Sequence, residues 1–211
     1  MKRAYLLILI IGLAISSFAY VNTFVVNNVS DDELHTIEII EVPENVPVAQ
    51  ASAVWPSKYF ASLDFPQILN KSDLVAIVEI TGPVTSYSDG DNFFTLYRGR
   101  IVNCLKGKAS GDELNVLQYC GYDRKHGVFI QVEGEPVLIK GQSWLFFMRK
   151  MDWEPNLELS LPENTFRPQP LTALRYEKGL LSTPTESAQI LPNQLRIDGL
   201  TIEAFKASYM K

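Results

Sequence analysis

At 211 residues, with 46% hydrophobic and 20% charged side chains, the chain can bury a real core and is neither low-complexity nor disordered in composition. Its formal net charge of −5 argues against nucleic acid or an anionic membrane surface as the main partner, since neither attracts a net negative domain. No internal repeat recurs at a fixed period.

Lys2 and Arg3 precede a run from Ala4 to Ile15 with no polar side chain but Tyr5, and apolar character continues, diluted, to Val26. After Arg3 the next Lys or Arg is Lys58. Two basic residues, an apolar stretch and Ser17-Phe18-Ala19, with small residues at −3 and −1 before Tyr20, follow the plan of a secretory signal peptide. The rival reading is an uncleaved helix that anchors the chain. Residues 4–26 span 23 positions, and about 20 apolar residues cross a bilayer core, but Ser16, Ser17, Asn22 and Thr23 dilute the second half. A buried core helix is the third reading. In both export readings the basic residues stay on the cytoplasmic side. The remainder is then secreted or periplasmic, or extracytoplasmic and held by a single N-terminal helix. Cleavage would remove Lys2 and Arg3 and lower the charge by two, to −7.

Residues 27–57 are acidic and proline-punctuated and read mainly as a spacer, with a short strand conceivable over 36–42. Asp64-Phe65-Pro66-Gln67 supplies an N-cap with Pro near the first turn, predicting a short helix through Lys71. From Asp73 the pattern turns to strands. Residues 74–80 are β-rich up to Gly82-Pro83, with a continuation over 84–86, and residues 93–105 form a long second strand. Gly99 inside that strand signals a bulge or tight bend. Strands at 113–120, 128–132 and 143–148 follow, with a polar loop over 121–127, and then 153–161. Residues 58–161 are taken as the barrel domain and 162–211 as a C-terminal extension with short strands, one near 175–181. Thr201 caps a terminal helix bearing Ile202, Phe205 and Tyr209 at helical spacing. The fold expected is mainly β: a small OB-like antiparallel barrel with a short helix before it, a C-terminal helix, and the N-terminal hydrophobic helix.

Cys104 and Cys120 would sit in an oxidising compartment, where a disulfide is the first guess. A hairpin turning at 108–111 would put Cys104 opposite residue 115, with Cys120 roughly 16 Å further along, beyond the ~7 Å that a disulfide tolerates. Two buried free thiols are the expectation.

Ser72-Asp73-Leu74-Val75, Tyr97…Val102…Leu105-Lys106-Gly107, Gly111-Asp112, Cys120-Gly121 and Gly141-Gln142-Ser143-Trp144-Leu145-Phe146-Phe147 occur in an order that resembles the netrin-like domains. These share an OB-type barrel with tissue inhibitors of metalloproteinases, and exported bacterial proteins of unknown function carry a similar barrel. The resemblance covers residues 60 to 150 and implies a fold and protein binding. The inhibitors' mechanism needs an N-terminal cysteine that chelates zinc; cleavage here would expose Tyr20, so that mechanism does not carry over, and the family's disulfides are absent.

No catalytic signature appears. The histidines, His35 and His126, have no metal-ligand spacing. Asp89-Gly90-Asp91-Asn92 lacks the rest of a calcium loop and reads as a hairpin turn. Ser143 lacks a nucleophile elbow, and Cys120 with His126 is only a conceivable pair. No catalytic, cofactor or metal residues are assigned. Tyr87, Tyr97, Tyr122 and Trp153 are the candidate binding surface, although core packing explains most such aromatics as well. The expected function is an exported, non-enzymatic β-barrel module that binds a protein or cell-envelope component, with no nucleic acid partner and with membrane contact through residues 4–26 if they are uncleaved. The alternatives are an envelope hydrolase whose site is not visible as a motif and a glycan-binding module.

Overall fold

The computed structural model describes residues 47, 64–88, 93–154 and 159–210, together with the backbone of the strand segments Ile8–Ile15, Phe18–Val25, Glu38–Ile40 and Val48–Ala51. The helix α1, Phe65–Lys71, begins as the sequence predicts. Asp64 Oδ1 accepts from the Gln67 amide at 2.8 Å, and Gln67 Oε1 accepts from the Asp64 amide at 3.1 Å, a reciprocal cap with Pro66 in the first turn. Phe65, Ile68 and Leu69 are its buried face. At its other end Lys106 Nζ donates to the carbonyls of Leu69 and of Ser72, the latter at 2.8 Å, placing a cation on the helix C-terminus. Lys106→Met should therefore lower stability by about 2 kcal/mol, or the melting temperature by about 6 °C, in calorimetry; an unchanged melting temperature would refute that role.

Strand β1, Leu74–Ser88, is buried on both faces over its first half, which is why it reads as a continuous apolar run. It pairs antiparallel with β2, Phe93–Lys106, which pairs with β3, Glu113–Gln118. Cys120–Asp123 (β4) and Val128–Val132 (β5) make a hairpin. Ser143–Lys150 (β6) returns beside β1, and Thr165–Pro168 (β7) lies antiparallel to β6 and parallel to β3. The order β1-β2-β3-β7-β6-β1 closes a five-stranded barrel. Its fifth wall, β7, lies past residue 161, in the stretch expected as an extension.

Alternation divides the side chains between two main cores. Leu74, Ala76, Val78 and Ile80 join Val116, Trp144, Phe146, Met148 and Phe166 in the barrel core. Val75 and Ile77 face the other way, with Leu145 and Phe147, into a second core under α1 and the C-terminal chain. That chain adds the hairpin of Leu174–Glu177 (β8) and Leu180–Ser182 (β9), a single turn, Thr185–Ala188 (α2), and Ile202–Tyr209 (α3). Thr201 Oγ1 accepts from the Ala204 amide at 3.2 Å, capping α3 as expected, and Phe205 packs edge-on against Phe65.

The irregularity expected at Gly99 falls in the partner strand opposite it. The ladder shifts register between Ile80↔Gly99 and Gly82↔Arg98, so the extra residue, Thr81, sits in β1. Gly99 is needed for close approach, since a Cβ there would lie 2.4 Å from Val78 Cγ1. Three expectations change. The stretch 121–127 is not a plain loop, because residues 120–123 pair with 128–131 around a turn at 124–127. Cys104 lies opposite Ala76 rather than residue 115, since the β2–β3 ladder ends at Arg100↔Glu113 and a longer turn follows. Both cysteines are free thiols, but Cys104 is exposed and only Cys120 is buried.

The N-terminal run carries paired segments in register from Ile8↔Val25 to Ile15↔Phe18, and its side chains lie outside the described residues. A short apolar run rich in Ile and Val is compatible with strand or helix according to its surroundings. Among the described residues no helix is long and apolar enough to cross a membrane.

Candidate functional site

The barrel wall formed by β6 and β7 carries the site. The pairing Met148↔Pro168, Arg149↔Arg167, Lys150↔Phe166 sets two arginines directly opposite one another on the same face. Arg149 follows Leu145 and Phe147 in the outward alternation, which ends in charge where the second core ends. Lys71, at the last turn of α1, approaches the same wall. Together with Lys150, Met151, Pro168, Gln169 and Pro170 these residues line a cleft of about 690 Å³. Among the described residues the lining holds four cationic side chains and no carboxylate, in a chain whose net charge is −5.

The cleft is built on a fixed floor. Gln169 is buried, and its Nε2 donates to the Ile68 carbonyl at 2.8 Å and to Ser72 Oγ at 2.7 Å, tying β7 to α1. Asp73 Oδ2 accepts from the Lys150 amide at 2.9 Å, anchoring the end of β6. Arg167 is half-buried, its guanidinium carbon 3.8 Å from the centre of the Tyr119 ring, a cation–π contact that sets the plane of its fork. Arg149, Lys150 and Lys71 are exposed, and Lys150 also reaches Asp152 at 3.5 Å. A surface pair at that distance contributes little to stability.

A second set of polar groups is buried at the barrel. Cys120 Sγ lies 3.5 Å from the Tyr97 hydroxyl and 3.6 Å from Gln118 Oε1. Burial pushes the thiol up to about 12, so it stays protonated and is a poor nucleophile at neutral pH. Burial, with the adjacent Cys120, also raises Tyr97 well above the ordinary phenol. Glu135, in the segment between β5 and β6, is 7% exposed; burial pushes its carboxyl up to about 7. The Leu171 amide, donating to Glu135 Oε1 at 2.9 Å, together with Gln118 and the charge of Arg167, pulls the other way. Leu171 itself is a fully buried, non-glycine residue at φ +59.

The aromatics predicted as a surface are not assembled into one. Tyr97 is 2% exposed inside the barrel and Tyr87 is 7% exposed against Phe94 and Leu96. Tyr122 is half-buried beside the barrel core, and the side chain of Trp153 lies outside the described residues. Cys120 and His126 have different partners: the His126 ring bonds to Asp123 on the β4–β5 turn, while the thiol faces Tyr97 and Gln118. Among the described residues no group of His, Cys, Asp and Glu is arranged to hold a metal ion. Sequence reasoning missed the four cations. Its one usable signal was Arg149-Lys150 immediately after a buried apolar strand.

The fold and the site define a closed five-stranded β-barrel with a basic cleft against its β6–β7 wall. No family model, curated protein or solved structure matches the chain.

Proposed function

We propose that the chain is an exported, non-enzymatic binding module built on an OB-type barrel, and that its cleft takes a negatively charged group of a protein or cell-envelope component. The observation that carries the reading is the cross-strand Arg149–Arg167 pair with Lys71 and Lys150 in one cleft of an acidic chain. Net charge describes the whole surface, whereas a ligand meets the local field. The wall order β1-β2-β3-β7-β6-β1, with β3 and β7 the one parallel pair, supports the OB-type assignment that the netrin-like resemblance implies. Export rests on Lys2-Arg3 and the apolar run, which hydrocarbon would hold as a helix because only a helix satisfies a single segment's backbone there.

The exposed thiol of Cys104 makes export measurable. A membrane-impermeant maleimide applied to intact cells should label Cys104 before lysis, with Cys120 silent; labelling that appears only after lysis would sink the export reading. Envelope material should then retain the full chain at low salt and release it at high salt, with retention lost in Arg149→Glu. Retention by Arg149→Glu equal to that of the native chain would remove the cleft from the function.

A further inference from the structure

We infer that Glu135 is a pH switch on the basic cleft: it draws on the Arg167 charge that also lines the cleft, so anion binding there weakens as Glu135 ionises. This rests on the proposed function and adds the regulation of that site. Two contacts tie the carboxyl to the cleft. Arg167 belongs to both surroundings, since it lines the cleft and its charge acts on Glu135. No free cation is required, because the switch works through a guanidinium that is already engaged. Its 3.8 Å contact with the Tyr119 ring restrains it, so a cleft anion and an ionised Glu135 meet one cation rather than two. The second contact is through the backbone. Glu135 Oε1 accepts from the Leu171 amide at 2.9 Å, and Pro168, Gln169 and Pro170, immediately before Leu171, all line the cleft.

The carboxyl has no route to water that would remove its charge from the site. Glu135 is 7% exposed, and Gln131 Nε2 donates to its backbone carbonyl. Ser187 Oγ donates to the Gly134 carbonyl at 2.7 Å, and a Cβ at Gly134 would lie 2.4 Å from Ile190 Cδ1, so this segment is packed from the α2 side as well. A charge formed there is poorly screened by salt. The titratable groups that act on Glu135 or that it perturbs are Arg167 from β7 and Cys120 from β4. From β3, the β7–β8 link and α2 come only Gln118, the Leu171 amide and Ser187, none of which titrates. Cys120 stays protonated, so Glu135 is the member of this set that changes charge around neutrality, where burial has pushed it up to about 7. The coupling is reciprocal. If ionised Glu135 lowers anion affinity by some factor, a bound anion must raise the Glu135 midpoint by the logarithm of that factor, so a tenfold effect is about one pH unit.

Benzenesulfonate keeps one charge across the range and is the probe, titrated calorimetrically into the full chain in detergent at about pH 5.5 and about pH 8.5. Its affinity should fall at least about fivefold between the two, and Glu135→Gln, which cannot ionise, should bind equally at both. Salt-releasable, Arg149-dependent retention on envelope material at the same two pH values should show the same contrast; titration of the envelope itself affects both proteins alike and cancels in the comparison. NMR titration of the Glu135 carboxyl in the native chain needs no variant, and saturating benzenesulfonate should raise its midpoint. Equal pH dependence in the native chain and Glu135→Gln overturns the switch while the binding function stands, as does a midpoint that benzenesulfonate leaves unmoved. If benzenesulfonate does not bind, the retention comparison decides in the same way. Absence of Arg149-dependent binding of either kind at both pH values removes the binding function and the switch with it.

Discussion

Gly107→Ala is expected to destabilise the barrel by about 3 kcal/mol or more, and Gly111→Ala, in the same turn, by only about 1 kcal/mol. Both glycines have positive φ, +82 and +99, so both substitutions carry the strain of a side chain in the left-handed region. They differ in what the new methyl would meet. At Gly107 a Cβ would lie 1.9 Å from the Asp73 carbonyl oxygen and 3.1 Å from the Leu74 Cα, whereas nothing lies within 4 Å of it at Gly111. The obstacle is backbone, at the point where β1 begins, and Lys106 beside it caps α1. The methyl can be admitted only by parting the end of β2 from the start of β1. Urea denaturation of the two variants side by side tests this, and equal losses would show that the close approach is not what selects glycine at 107.

Glu135 should make the protein less stable as pH rises from about 4.5 to about 7, by about 3 kcal/mol over that window. The sign follows from proton counting. In the unfolded chain the carboxyl ionises near its ordinary 4.5, while in the fold burial holds the proton on until about 7. Between these values the folded state binds more protons than the unfolded one, so stability falls with pH and then levels off above 7. Glu135→Gln keeps an oxygen for the Leu171 amide and imitates the neutral acid, so it should flatten this part of the profile. Arg167 is the cation acting on Glu135, and Cys120 is the acidic group Glu135 in turn perturbs; with the thiol near 12, Cys120 stays neutral throughout the window. Denaturation at pH 5, 6, 7 and 8 gives the slope, and the same slope in Glu135→Gln would refute the assignment. Because the same carboxyl accepts from Leu171, next to the Pro168–Pro170 wall, titration near pH 7 acts close to the cleft.

Much of the local structure was legible from neighbours in the chain. Asp64, Pro66 and Gln67 define the start of α1 because a cap is satisfied within four residues. Thr201 does the same for α3, and the limits of β5 coincide with the expected 128–132. Where pairing partners are distant, the reading thinned. Cys120–Asp123 looks like a loop because Gly121 and Tyr122 break the expected alternation, and only pairing with β5 makes it a strand. Thr165–Pro168 has four residues and ends in proline, too short a signal to identify the wall that closes the barrel. The aromatics were ambiguous for another reason. Alternation says that neighbouring residues face opposite ways, but it cannot say whether the second face is also covered, and here Phe94 and Leu96 are buried on the face opposite Tyr97.

Composition and the spacing of β-rich segments were enough to specify a mainly β chain with capped helices at 65–71 and 202–209. These are local or averaged properties, and short stretches of covalent chain express them. Barrel closure, the burial of Tyr97 and the meeting of four basic residues at one cleft were decided by the tertiary structure alone. Lys71, Arg149, Lys150 and Arg167 form no basic run, and the chain's averaged charge hides them. They meet because β7 pairs with β6 in one register and Gln169 ties that wall to α1. An electrostatic field depends on distances through space, and those exist only after the sheet has closed.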